Sequence, residues 1–106
     1  MKIKEITDAA IIFDNGNRIT FEHEPDCCEF NYADFEQLDD LARNYDYKEQ
    51  LTFEGVENAG FRFGDHPQRM FFVPCYSWQN GFYSTDICIC YNGEIVLEFD
   101  CEEKLT

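Results

Sequence analysis

FFVPCYSWQNGFYSTDICICYNGEIVLEFDC, residues 71–101, contains long apolar runs that two Asn-Gly dipeptides interrupt, at 80–81 and 92–93. Asn-Gly is the strongest short-range signal of a β-hairpin, because both central residues of a type I′ turn need a positive φ. Two-residue turns at both places predict an antiparallel meander with strands at about 71–79, 82–91 and 94–101. Both faces of this meander are largely apolar. We therefore expect it to be covered on both sides, or exposed on one side as a binding surface.

A third dipeptide, Asn15-Gly16, predicts a hairpin that joins roughly residues 9–14 to residues 17–23. A two-residue turn places His23 at the end of the second strand, on the same face as the cross-strand pairs. The expected pairs are Ile12 with Ile19 and Ala10 with Phe21.

The segment between the first hairpin and the meander contains the best helix candidate. Asp34 is the expected N-cap, and Gln37 stands three residues later as a capping-box partner. Apolar residues then recur at helical spacing, at Phe35, Leu38, Leu41, Ala42 and Tyr45. We therefore predict one α+β domain over residues 1–106, in which antiparallel hairpins and a three-stranded meander pack on one main helix.

The composition indicates a globular protein, because 44% of its 106 residues are hydrophobic and 17% are aromatic. No segment approaches the roughly 20 apolar residues of a membrane span, and no signal peptide is recognisable. We expect a cytoplasmic protein, in a compartment where thiols stay reduced. The six cysteines are then available for metal ligation or core packing rather than for disulfides.

The charge balance limits the partners that the protein can bind. Only 8 basic residues accompany 22 acidic ones, which gives a net charge of −14. Binding to nucleic acid needs Lys and Arg to neutralise phosphates, so neither free nucleic acid nor an anionic membrane is an expected partner. A basic protein surface or a cation is the natural complement, unless the charge serves only solubility.

The stretch from Glu22 to Glu29, EHEPDCCE, is the candidate metal site. Zinc prefers thiolate and imidazole ligands in tetrahedral geometry. A histidine that ends a strand, followed by a proline-containing turn and two cysteines, can bring three donors together, namely His23, Cys27 and Cys28. We expect Cys75, opposite Asp86 in the meander, to be the fourth ligand of a structural zinc, with His66 as the other option. The alternative is that these cysteines are small buried residues of the core.

The sequence carries no recognisable catalytic motif: P-loop, dinucleotide-binding glycines, HExxH and nucleophile elbow are all absent. The carboxylates around the adjacent cysteines disfavour a reactive thiolate. We therefore expect a protein that is not an enzyme. A metal-dependent hydrolase remains an alternative, and it would need an open coordination position on the metal.

A long acidic run lies between Arg18 and Arg43, with no Lys or Arg inside it. Its carboxylates could occupy the basic groove of a nucleic-acid-handling protein, with electrostatic steering of the encounter. The alternative is a solvated surface without a partner. The expected partner-binding residues are Glu22, Glu24, Glu29, Asp34, Glu36, Asp39 and Asp40.

The pattern H-x-x-D-C-C-E at residues 23–29, followed by Leu38-Asp39-Asp40-Leu41 and by Asn80-Gly81-Phe82-Tyr83-Ser84, resembles a small uncharacterised family of bacterial and phage proteins. That family has the same histidine-cysteine motif and an N-G-Y-Y-S hairpin. In size and acidity the chain is also similar to phage anti-CRISPR inhibitors, some of which contain structural zinc. The resemblance implies a phage- or prophage-encoded inhibitor of a type II CRISPR nuclease, which would act in the cytoplasm of a bacterial host cell. A plain α+β interaction domain without metal is the alternative.

Overall fold

The computed structural model describes residues 1–23, 29–79, 81 and 83–105, with the side chain of Leu105 left out. Ten strands and two very short helical turns follow one another along this part of the chain. The strands are β1 (Ile3–Ile6), β2 (Ala10–Phe13), β3 (Arg18–Glu22), β4 (Phe30–Ala33), β5 (Thr52–Val56), β6 (Gly60–His66), β7 (Arg69–Gln79), β8 (Asp86–Tyr91), β9 (Glu94–Asp100) and β10 (Glu102–Leu105).

The expected α+β class is wrong, because the described part of the chain is almost entirely antiparallel β, with 58% of its residues in strands and 7% in helical turns. The predicted main helix is reduced to a 3₁₀ turn, Phe35–Gln37, and one α-helical turn, α1 (Asp40–Arg43). Leu38 lies between them in an extended conformation. The Arg43 guanidinium donates to the carbonyls of Leu38 and Glu36 at 3.1 and 2.7 Å. The side chain of Arg43 therefore supplies hydrogen bonds that a continuous helix would supply from its backbone.

Two five-stranded sheets make up the architecture. The first has the order β1-β2-β3-β8-β9. The second has the order β10-β7-β6-β5, and β4 also pairs with β7. The second half of β7 is flanked by antiparallel β4 and by parallel β10. The core lies between the inner faces of the sheets, where Ile11, Ile19 and Ile89 of the first sheet are fully buried, as are Phe61, Phe63 and Val73 of the second.

The first hairpin forms where it is predicted, but its register differs by one residue. Ile11 pairs with Ile19 and Ile12 with Arg18. Phe13 N donates to Asn17 O, and Gly16 has a φ of +91°, so the loop contains three residues rather than two. Because side chains alternate along a strand, Ile11 and Phe13 share the core face with Ile19, while Ile12 is only half-buried.

The predicted meander is wrong at its first turn. β7 ends at Gln79 in the second sheet and β8 begins at Asp86 in the first, so these two strands do not form the predicted hairpin. Cys75 accordingly pairs with Ala33 of β4 and not with Asp86, which pairs with Asp100 of β9. Residues 80 and 82 lie outside the described part of the chain.

The second turn of the meander is confirmed. Tyr91 pairs with Glu94 across Asn92 and Gly93, whose φ angles are 52° and 85°. These angles are typical of the predicted type I′ turn.

Neither helical turn of the described residues has the length or the apolar sequence of a membrane-spanning helix.

Candidate functional site

A cleft of about 800 Å³ opens at the end of β3, and we call it the histidine cleft. It lies where β3 and β8 of the first sheet approach the start of β4. The described residues that line it are Phe21, Glu22, His23, Glu29, Ser84, Asp86 and Cys88.

The two ends of the metal-candidate segment meet in this cleft. His23 Nε2 lies 2.7 Å from Glu29 Oε1, and the side chains of these two residues are 8% and 0% exposed. Residues 24–28, which join them and include Glu24, Cys27 and Cys28, lie outside the described residues. The structure therefore brings together the histidine and the last carboxylate of the predicted motif.

A buried chain of polar side chains extends from His23 into the core. Asn31 Nδ2 lies 3.5 Å from His23 Nδ1 and donates to the carbonyls of Ser84 and Asp86 at 3.1 and 3.0 Å. Asn31 Oδ1 accepts a hydrogen bond from Ser77 Oγ. Gln79 Nε2 also donates to Ser77 Oγ, at 2.6 Å. Asn31, Ser77 and Gln79 are each no more than 2% exposed, so this network fixes the wall of the histidine cleft.

The other predicted zinc ligands lie elsewhere among the described residues. Cys75 is in the core on β7, with its sulfur 4.0 Å from the Val73 carbonyl, and it does not line the histidine cleft. His66 is exposed at the end of β6, and its Nδ1 accepts from Gln68 N at 3.1 Å. Within the described ranges, no three His, Cys, Asp or Glu side chains form a group that could hold a metal ion.

The orientation of His23 determines which ring nitrogen could bind zinc. A zinc-bound histidine commonly donates its other ring N–H to a carboxylate, which fixes the ring and its tautomer. Glu29 stands in that position opposite Nε2, but Nδ1 faces the Asn31 amide nitrogen at 3.5 Å. Both ring nitrogens of His23 thus have polar neighbours, so zinc binding through Nδ1, together with Cys27 and Cys28, would require Asn31 to give up this contact.

Zinc content gives the first test of this hypothesis. We expect about one zinc per chain in protein purified without chelator, and a loss of most of it in the variant His23→Ala, because zinc sites need their full set of ligands. Elemental analysis measures this, with His66→Ala as the matched control. A zinc-free wild type that melts at the same temperature in excess chelator would contradict the hypothesis.

The described cysteines lack the surroundings of a catalytic thiol. Burial raises the pKa of Cys75, and it raises the pKa of Cys101 to about 12. Burial and then the neighbouring carboxylate of Glu98 raise the pKa of Cys88, while burial and Glu22 raise that of Cys90. These thiols are therefore protonated at neutral pH, whereas nucleophilic cysteines need a lowered pKa.

A second concavity, of about 380 Å³, lies at the edge of β4, and we call it the acidic groove. The β1–β2 turn forms one side, and β4 with the start of the 3₁₀ turn forms the other. The described residues that line it are Asp8, Ala9, Phe21, Phe30, Tyr32, Ala33, Asp34 and Glu36. None of them is basic, so the groove has a negative potential.

The predicted partner-binding residues separate into different places. Glu36, Asp39 and Asp40 are exposed around the two helical turns, Asp34 is half-buried at the groove, and Glu22 is exposed at the end of β3. Glu29 is inside the histidine cleft, so its carboxylate does not belong to an outer acidic surface. We use the name acidic segment for residues 34–40.

The sequence-based reasoning missed Asp8, Phe30 and Tyr32 as candidate binding residues. Phe30 and Tyr32 alternate with the buried Asn31 and Ala33, which is the period-2 pattern of a strand with one face exposed. The alternation of aromatic and polar residues at 30–32 could have identified β4 as a strand, but it would have placed the aromatic rings, and not Asn31, on the buried face. The position of Asp8 beside β4 follows from the pairing of distant strands, which no local pattern contains.

No protein-family model matches this chain, and searches of curated proteins and of solved structures found no match.

Proposed function

We propose that this protein is a small, non-catalytic, acidic binding protein of the bacterial cytoplasm. It docks on the basic surface of a nucleic-acid-handling protein and obstructs nucleic-acid access to it. A type II CRISPR nuclease is the candidate partner. The observation that carries this proposal is the acidic segment, whose exposed carboxylates are held in a fixed arrangement beside an exposed leucine.

Backbone and side-chain hydrogen bonds fix the arrangement of the acidic segment. Asp39 Oδ1 accepts from Leu41 N at 3.1 Å, and Gln37 Nε2 donates to Asp34 Oδ2 at 2.7 Å. Arg43, the nearby cation, lies 4.0 Å from Asp40 Oδ1 and directs its stronger bonds to backbone carbonyls. The carboxylates therefore remain available to a partner.

Leu41 gives this surface an apolar centre. It is 74% exposed although it stands next to the buried Ala42. Protein interfaces commonly place an apolar anchor inside a polar rim, where the anchor supplies affinity and the charges supply rate and selectivity. Such a surface fits a basic protein better than it fits a purely solvating role.

The proposal that the protein is non-catalytic is supported by the protonated thiols of Cys75, Cys88, Cys90 and Cys101. The same raised pKa values disfavour a cysteine hydrolase. Obstruction of a binding surface needs no reactive group, and the net charge of −14 favours fast capture of a basic partner.

Charge reversal tests the proposed function. We expect the triple variant Glu36→Lys, Asp39→Lys and Asp40→Lys to inhibit target-DNA cleavage by a type II CRISPR nuclease about tenfold or more weakly than the wild type, because three attractive rim contacts become repulsive. Inhibitor titration in a cleavage assay measures the change.

A matched control separates the position of the charges from their number. Reversal of the exposed Glu94, Glu98 and Glu103 to Lys alters the net charge equally but lies on β9 and β10. We expect this variant to keep its inhibition within about twofold. Equal losses in both variants, or no inhibition by the wild type, would overturn the proposal.

A further inference from the structure

We infer that the acidic groove holds an arginine side chain of the basic partner, stacked on Phe30 and paired with the carboxylates of Asp34 and Glu36. This inference rests on the proposed function, since it names the chemistry by which the same surface recognises its partner. Its support comes from the aromatic wall, the charge and the size of the groove.

The aromatic wall is exposed and held in place. Phe30 is 59% exposed, and its ring stacks on Tyr32 with a centroid distance of 4.9 Å and an interplanar angle of 25°. The Tyr32 hydroxyl accepts from Trp78 Nε1 at 3.1 Å, and the Tyr32 ring lies 5.8 Å from Tyr76. A stacked ring with a fixed neighbour is a ready platform for a flat cation, because little ordering remains to be done on binding.

Carboxylates stand on both sides of the groove, with Asp34 and Glu36 on the side that contains Phe30 and Asp8 on the other side. Asp34 and Glu36 follow directly after β4, and Asp8 approaches from the β1–β2 turn. Asp34 Oδ2 already accepts a hydrogen bond from Gln37, which orients this carboxylate. A cation that enters the groove therefore meets several oxygens without meeting a competing Lys or Arg among the lining residues.

Arginine fits this combination better than lysine does. Its guanidinium is planar, stacks on aromatic faces and binds a carboxylate through two parallel N–H···O bonds. The ammonium of lysine is a compact, strongly hydrated charge that gains less from a flat ring. The volume of about 380 Å³ accommodates one or two side chains of a protein partner.

Other occupants are less compatible with the groove. A second copy of this chain would bring another net charge of −14 to the same place, which repels. An apolar peptide would leave the carboxylates of Asp8, Asp34 and Glu36 without a cationic partner and partly desolvated. The charge complementarity therefore selects an arginine-bearing protein segment.

Two synthetic peptides test the inference, one with six arginines separated by Gly-Ser and one with lysine at the same positions. We expect the wild type to bind the arginine peptide about threefold to fivefold more tightly, because stacking on Phe30 adds to the charge. Phe30→Ala should remove this preference while retaining the charge-driven part of the affinity. Fluorescence anisotropy measures both affinities in low-salt buffer.

The control variant is Ile95→Ala, because Ile95 is also 59% exposed but lies on β9. It should keep the arginine preference. Phe30→Leu keeps an apolar side chain at this exposed position and should lose the preference as Phe30→Ala does, which separates ring stacking from any loss of fold. Thermal melting confirms that each variant is folded.

Several outcomes would overturn the arginine assignment. They are equal affinity for both peptides, an arginine preference that survives Phe30→Ala, tighter binding of an apolar peptide, and self-association through Phe30 in sedimentation. If any of these occurs while the triple charge reversal still weakens nuclease inhibition about tenfold or more, the proposed function stands and only the arginine assignment fails. If the arginine preference holds without nuclease inhibition, the groove assignment stands and the proposed function fails.

Discussion

Tyr47→Ala should lower the free energy of unfolding by about 4 kcal/mol, because it removes a large buried aromatic side chain and leaves a cavity. Tyr47 is 2% exposed and its ring contacts those of Phe13, Tyr45, Phe63 and Phe71. The Tyr47 ring thus connects Phe13 of the first sheet, Tyr45 just after α1, and Phe63 and Phe71 of the second sheet. Urea unfolding measures the change.

Tyr47→Phe is the matched control for the ring. Only the hydrogen bond from the Tyr47 hydroxyl to Ala42 O, of 2.7 Å, is lost in this variant. The expected loss is about 1 kcal/mol. A loss in Tyr47→Ala as small as that of Tyr47→Phe would show that this ring does not organise the core.

The pH dependence of Tyr47→Phe provides a second measure. Burial, and then the charge of Asp65, raise the pKa of the Tyr47 phenol above its ordinary value of 10.0. A raised pKa in the folded state gives stability that is present below pH 10.0 and is lost as the pH rises above it. The stability difference between wild type and Tyr47→Phe should therefore shrink above that pH.

Asn31→Leu is the second substitution with a large expected effect. Asn31 is 2% exposed, and its amide nitrogen donates to the carbonyls of Ser84 and Asp86. Its amide oxygen accepts from the Ser77 hydroxyl. Leucine has a similar volume but leaves these groups without that partner. Each unsatisfied buried group costs about 1–3 kcal/mol, so we expect a total loss of about 3 kcal/mol.

Gln37→Leu is the control for Asn31→Leu, because the Gln37 amide also forms two hydrogen bonds but is exposed. Its expected effect is within about 0.5 kcal/mol. Chemical denaturation of both variants gives the comparison. Equal effects would mean that the buried polar chain beside the histidine cleft contributes little to stability.

The turns show how far local sequence predicts this fold. Asn92-Gly93 forms the expected type I′ turn, because its positive φ angles satisfy the pattern without help from distant residues. Asn15-Gly16 also ends a strand pair, but a third loop residue changes the register by one. Between Gln79 and Asp86 the chain passes from one sheet to the other, since β8 pairs with β3 and not with β7.

The prediction of one main helix after β4 is wrong for a different physical reason. Phe35, Leu38 and Ala42 are buried as the helical spacing predicts, yet Leu41 is exposed. Asp39 binds the Leu41 N–H and begins a new turn there, which is the usual role of Asp at a helix N-terminus. Side-chain hydrogen bonds from Arg43 to carbonyls five and seven residues earlier then stabilise the interrupted backbone. The local apolar pattern thus predicted burial better than it predicted secondary structure.

The residues of the candidate sites divide in the same way, into those that the local sequence predicts and those whose position depends on distant strands. His23 near Glu29 and the exposed Glu36, Asp39 and Asp40 are close together in sequence, so local reasoning could propose them. The acidic groove needs Asp8 beside Phe30, and this neighbourhood depends on the approach of the β1–β2 turn to β4. A single sequence contains no local signal for such a contact.

The dependence of nuclease affinity on salt shows whether the exposed carboxylates of the acidic segment bind a basic surface. Between about 0.05 and 0.3 M salt we expect the Kd of the wild type to rise about tenfold or more, since screening weakens exposed charge pairs. The triple variant at Glu36, Asp39 and Asp40 should show a much flatter dependence. A wild-type Kd that is the same at all salt concentrations would contradict the account.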